Sequence, residues 1–119
     1  MEIIQKTTLC YIEKEDSFLF MFRNKKENDY NHGKYIGIGG HFEKGESYIA
    51  CLKREVKEET GLSLKSYKYL GKVDFVNTNH PAERMYLFKG TLEDGELSEC
   101  NEGTFVYIKK KSTSLFYFF

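Results

Sequence analysis

Hydrophobic and polar positions along this chain fall mostly into short, strand-like runs, broken once by a longer stretch of helical period. Residues 7–12 (Thr-Thr-Leu-Cys-Tyr-Ile) and 18–23 (Phe-Leu-Phe-Met-Phe-Arg) are rich in β-branched and aromatic side chains. They flank a polar segment, residues 13–17, and predict two strands joined by a hairpin loop. Residues 23–34 are polar and charged throughout, a surface loop long enough to be functional. Residues 35–40 (Tyr-Ile-Gly-Ile-Gly-Gly) predict a short strand weighted with glycine, and glycine in a strand often marks a close backbone approach. Beyond the helical stretch, residues 66–77 read as one long strand or two joined at Gly71. Residues 77–84 predict a turn holding the only proline, Pro81. Residues 85–89 and 104–109 predict further strands, separated by an acidic loop over residues 92–102.

The helical stretch covers residues 48–60, with no glycine or proline inside it. Ser47 is placed to cap its free N–H groups, and Gly61 fits the left-handed position that ends it. At about 100° per residue, Ile49, Leu52 and Val56 share one arc, which can face a core. Glu55, Glu58 and Glu59 share the neighbouring arc. Carboxylates so close repel one another unless a cation sits among them, and hard oxygen donors of this kind suit Mg2+ or Mn2+. A solvated glutamate-rich face is the commoner reading of such an arc taken alone.

Length and composition narrow the setting. The 119 residues make one domain, with 40% hydrophobic and 16% aromatic residues, so the chain is globular rather than disordered. Lys plus Arg and Asp plus Glu are 18 each, which leaves no global field for nucleic acid or an anionic membrane. A polyanionic ligand must therefore meet a local site, and no stable nucleic-acid partner is expected. Cys10, Cys51 and Cys100 are odd in number and lack a Cys-x-x-Cys pair, against both a disulfide framework and zinc. Cys51 is read as a packed thiol. His41 and His80 each stand alone. No basic-then-apolar leader and no long apolar span is present, so membrane association is not expected and a reducing cytoplasm is.

Spacing then raises the glutamate arc above the commoner reading. Residues 40–62 carry Gly, five residues, Glu, seven residues, Arg-Glu, an aliphatic, any residue, Glu-Glu, any residue, Gly, an aliphatic. Gly40, Glu46, Arg54, Glu55, Val56, Glu58, Glu59, Gly61 and Leu62 fill these positions. The stretch resembles, at every specified position, the signature of the Nudix hydrolases. The rest of the chain, from about Thr7 to Ile108, is similar to the MutT-like subgroup. The resemblance implies an α+β fold, a mixed sheet in an α/β/α sandwich around the box helix.

It also implies chemistry and roles. The expected reaction is Mg2+-dependent (Mn2+ possible) hydrolysis of a nucleoside triphosphate such as 8-oxo-dGTP to the monophosphate and pyrophosphate. ADP-ribose or dinucleoside polyphosphates are the alternative substrates, and a non-catalytic nucleotide-binding module is a third reading. Glu55, Glu58 and Glu59 with the Gly40 carbonyl are the implied metal shell. Glu55 and Glu58 are the ligand-or-base candidates, and Arg54 holds a glutamate in place. Glu46 and Gly61 are structural within the motif, Glu46 through negative charge near the helix start. A further catalytic glutamate is expected from the loop before the last strand, at Glu102. Arg23, Lys34, Gly39 and Thr8 are expected to meet substrate.

The C-terminal end departs from the pattern. MutT-like relatives continue into a second helix, whereas residues 112–119 here read Ser-Thr-Ser-Leu-Phe-Tyr-Phe-Phe. These are too few for a stable helix of ordinary length. The second helix is expected to be missing or truncated, and the apolar tail to replace its packing or to pair two copies as a homodimer.

Overall fold

Strand β1 (Gln5–Lys14) joins the rest of the chain together, because its two edges serve different partners. Along one edge it pairs in parallel with β6 (His80–Leu92), from Gln5 opposite Glu83 to Ile12 opposite Gly90. The other edge is divided. Its C-terminal end pairs antiparallel with β2 (Ser17–Phe22), and Thr7 to Cys10 pair with β4 (Ile38–His41). The computed structural model describes Ile3, residues 5–77 and residues 80–115.

β1 and β2 diverge beyond their turn, and residues 35–41 fill the split. β3 (Tyr35–Ile36) continues the edge of β2, while β4 takes up the edge of β1. The single glycine-rich strand expected over residues 35–40 is therefore two, broken at Gly37. A Cβ there would lie 3.0 Å from Leu9 Cδ1, so the crossing chain passes tight against β1. β7 (Thr104–Lys109) pairs with the full length of β2, and β5 (Leu64–Asn77) pairs with β6.

β5 is one strand, not two. It absorbs Gly71 at φ +134° in a bulge, one of three register shifts against β6. The turn expected over residues 77–84 is instead the end of a hairpin, since β6 begins at His80; Thr78 and Asn79 lie outside the described residues. Pro81 is tolerated there because pairing of β6 with β1 starts only at Glu83, so no N–H is missing from that ladder.

α1 (Tyr48–Thr60) begins and ends where the sequence indicates. Ser47 Oγ accepts from Ala50 N at 3.1 Å, and Gly61 closes the helix at φ 79°. The apolar arc packs on the sheet: Leu52 and Val56 join Cys10, Ile12, Ile38 and Phe88, all at most 1% exposed. Among the described residues α1 is the one α-helix. The fold is the expected α+β one, a mixed sheet carrying the box helix. After β7 comes a short 3-10 turn (Lys110–Leu115), and residues 116–119, on which the proposed tail contact and homodimer rest, lie outside the described residues.

Leu52 has no room to relax, being fully buried between helix and sheet. Leu52→Ala is expected to lower unfolding free energy by about 2–5 kcal/mol in urea titrations. A loss under about 1 kcal/mol would mean that the helix is not docked as described.

Candidate active site

The site lies where β4 runs beside α1, and backbone without side chains makes the approach possible. A Cβ on Gly39 would overlap the Thr8 carbonyl, and one on Gly40 would overlap the Glu55 carboxylate. Neither position tolerates a larger residue without moving backbone or the acid. Gly39 N–H donates to Glu59 Oε2 at 3.3 Å, which ties the strand to the far end of the acidic arc.

Arg54 is the hub. Its Nε and Nη2 bind the two Glu46 oxygens at 2.7 and 2.9 Å, the bidentate geometry in which guanidinium and carboxylate match. Nη1 donates to Glu55 Oε1 at 2.7 Å and to Glu58 Oε2 at 3.1 Å. Nη2 also reaches the His41 carbonyl at 2.9 Å, and Glu43 lies 3.1 Å from Nε. Hydrogen bonding from Arg54 holds the Glu46 carboxyl down to about 2, and Glu46 in turn raises the guanidinium further. Glu46 is thus held by the guanidinium and lies outside the first turn of α1.

Glu59 has the opposite environment. Burial, then the charge of Glu55, pushes its carboxyl up to about 8, opposed by the Gly39 N–H. Among the described residues no three His, Cys, Asp or Glu side chains close round an ion-sized point. The acids that sequence reading converged on one spot gather round Arg54 instead, with Glu59 turned toward Gly39. The donor set still fits a hard divalent cation. Glu55, Glu58, Glu59 and the Gly40 carbonyl supply only oxygens. A cation beside Glu59 offsets the very burial and repulsion that hold its proton on.

The remaining predicted residues divide. Arg23 binds Asp29 at 2.6 Å and Glu102 at 3.2 Å, so the loop after β2 and the loop before β7 meet there. The charges of Arg23 and Glu102 are both felt at Glu59, which places this pair alongside the acidic arc. Lys34 accepts from the Arg23 N–H through its carbonyl at 3.0 Å, and its ammonium lies 4.5 Å from the Tyr30 ring centroid. Thr8 is a correction: it is 2% exposed, and its hydroxyl lies 3.4 Å from Cys51 Sγ, under the site rather than facing it. It is buried because β1 is enclosed by strands on both edges and by α1 above. Cys51 is packed as expected, its thiol pushed up to about 11 by burial. Sequence reading missed Glu43, Asp29 and the His41 carbonyl. Only the excess of acids near one arginine hinted at the first, and a carbonyl leaves no sequence signal.

A mixed sheet carrying one capped helix, with a glycine strand laid on that helix's glutamates, defines the architecture implied by the motif. The family described as NUDIX domain matches residues 4–110, and the chain belongs to that family. In sequence it is 32% identical over 87 residues to the NAD-capped RNA hydrolase NudC of Vibrio parahaemolyticus, covering 73% of this chain and 31% of the relative. It is 31% identical over 80 residues to NudC of Haemophilus influenzae, covering 67% and 29%. The chain thus spans about a third of the length of these curated relatives. In structure it is similar to a MutT protein from Bacillus halodurans, with TM-score 0.79, 25% identity, and 97% and 74% of the two chains covered. A MutT protein from Methanosarcina mazei shares the fold at TM-score 0.76 and 22% identity, covering 91% and 78%.

The Glu59 environment gives a signed pH effect. Its folded value near 8 lies above the ordinary 4.5, so between these the folded state holds more proton than the unfolded. Stability of the chelator-treated protein should fall as pH rises through that window. Melting curves of Glu59→Gln should lack this component, and parallel pH profiles for the two proteins would contradict it.

Proposed function

We propose that this chain is a divalent-cation-dependent hydrolase that cleaves the phosphoanhydride bond of a nucleoside diphosphate linked to a second group. The observation that carries the reading is the placing of a half-buried Glu59, bound by the Gly39 N–H, beside Glu55 at the glycine backbone of β4. Glu55, Glu59 and the Gly40 carbonyl would hold Mg2+ or Mn2+. When bound, such a cation neutralises charge on the phosphate oxygens and makes water more acidic.

The chain's own residues do the rest. Glu58 is the most exposed of the three acids, its side chain 58% exposed with one oxygen on Arg54. It is suited to take the proton from the attacking water, whose oxygen then bonds to phosphorus as the P–O–P bridge breaks. Arg54 touches no reacting atom in this scheme; it fixes Glu55 and Glu58 relative to one another. Glu102, held by Arg23 at 3.2 Å, is the further acid that would complete the cation's oxygen ligands. An Arg54 with so many acidic partners also supports an enzyme over a non-catalytic module, which has no need of them.

The likeness to NAD-capped RNA hydrolases favours an NAD-type end over 8-oxo-dGTP. The MutT-like fold keeps the triphosphate as the second reading. Cys10, Cys51 and Cys100 are free thiols, which suits a reducing cytoplasm, and no helix among the described residues is long and apolar enough to cross a membrane.

A panel of NAD, NAD-capped RNA, ADP-ribose and 8-oxo-dGTP, assayed with Mg2+ and with EDTA, tests this. Turnover should require Mg2+ and fall by about 10²-fold or more in Glu58→Gln. Turnover of 8-oxo-dGTP alone would establish the second reading, and turnover in EDTA would overturn both.

A further inference from the structure

The strand order β4, β1, β6, β5 gives α1 two flanks. The glutamates turn to β4. Toward β5 three tyrosines stand exposed, Tyr48, Tyr67 and Tyr69, each between 37% and 42%. They form one array. Tyr48 stacks on Tyr86 with centroids 5.0 Å apart and planes at 24°, and meets Tyr69 edge-on at 5.4 Å. Tyr67 and Tyr69 both lean on buried Phe88, at 6.2 and 5.4 Å. The inner rings fix the outer ones in place. The array also adjoins the acidic site, because Tyr86 packs on Phe42 at 5.6 Å and the preceding residue, His41, gives its carbonyl to Arg54.

Charge on this flank is positive, although the whole chain is neutral. Lys72 follows the rings along β5, and Lys53 of α1 lies 5.5 Å from the Tyr67 centroid. Lys72 is paired across the ladder with Tyr86 and so projects from the ring-bearing face. The one acid of β5, Asp74, is held by Arg84 at 2.8 and 3.0 Å. β5 is the last strand of its sheet, so nothing among the described residues pairs its outer edge. A polyanion carrying flat bases meets both the rings and this charge at once.

We propose that Tyr48, Tyr67 and Tyr69, with Lys53 and Lys72, form a platform for single-stranded RNA. The rings stack on bases and the ammonium groups meet phosphates. This rests on the hydrolase reading: a nucleotide end held at the glutamates would carry its RNA strand past Phe42 and Tyr86 onto this flank. The expectation of no nucleic-acid partner, drawn from zero net charge, overlooks a local patch of this size.

Fluorescence anisotropy of labelled oligouridylate, in EDTA so that nothing is cleaved, tests the platform. Tyr67→Ala/Tyr69→Ala should weaken binding by about tenfold or more, and the double phenylalanine variant should restore it. Lys53→Glu/Lys72→Glu should weaken binding and flatten its salt dependence. Mg2+-dependent hydrolysis of NAD should be unchanged in all of these, so failure of hydrolysis with binding intact would overturn only the hydrolase reading. Absent binding by the parent, equal binding by the alanine variant, or a dimer in sedimentation that the alanine variant dissolves would overturn the platform.

Discussion

One guanidinium organises the acidic half of this molecule. Arg54 faces Glu43, Glu46, Glu55 and Glu58 and the His41 carbonyl, and without its charge these acids would repel one another across the helix. Partly exposed ion pairs of this kind contribute little stability singly. Their effect is geometric. A planar fork of donors fixes several carboxylates at once, which a lysine's single ammonium does not. Burial, and after it the charge of Glu55, holds the Glu59 proton on well above the usual carboxylate range.

The sheet makes that arrangement reachable. Divergence of β1 from β2 lets β4 settle beside α1, and two glycines without side chains let it come close enough to touch Glu55 and Glu59. The same strand order leaves β5 beyond the helix's other flank. One helix therefore separates an acidic face suited to a cation from an aromatic and basic face suited to a polyanion, with Phe42 and Tyr86 between them.

Local features were the legible ones. Ser47, Gly61 and the spacing of Arg54, Glu55, Glu58 and Glu59 all lie within a few turns of one helix, so the sequence alone places them. Runs of β-branched and aromatic residues likewise located β1, β2 and β7. What escaped depends on residues distant in the chain. The Arg23–Glu102 pair joins loops 79 residues apart, which no local pattern records. Thr8 looks like any strand threonine until β4, β6 and α1 enclose it. The break at Gly37 reflects two strands competing for one segment, and Pro81 reads as a turn only until the start of the β1 ladder is known. Substrate identity was least legible, since the box that specifies the chemistry does not describe what is attached to the phosphates.

The central claim is that the acids beside β4 form a divalent-cation site, and Mn2+ titration followed by electron paramagnetic resonance tests it most directly. The account predicts saturable binding that Glu55→Gln and Glu59→Gln each weaken by about tenfold or more, as loss of a charged oxygen ligand requires. Glu43→Gln, at the rim of the arginine cluster, should bind as the parent does. Binding no stronger than to scattered surface carboxylates, or equal in all four proteins, would contradict it.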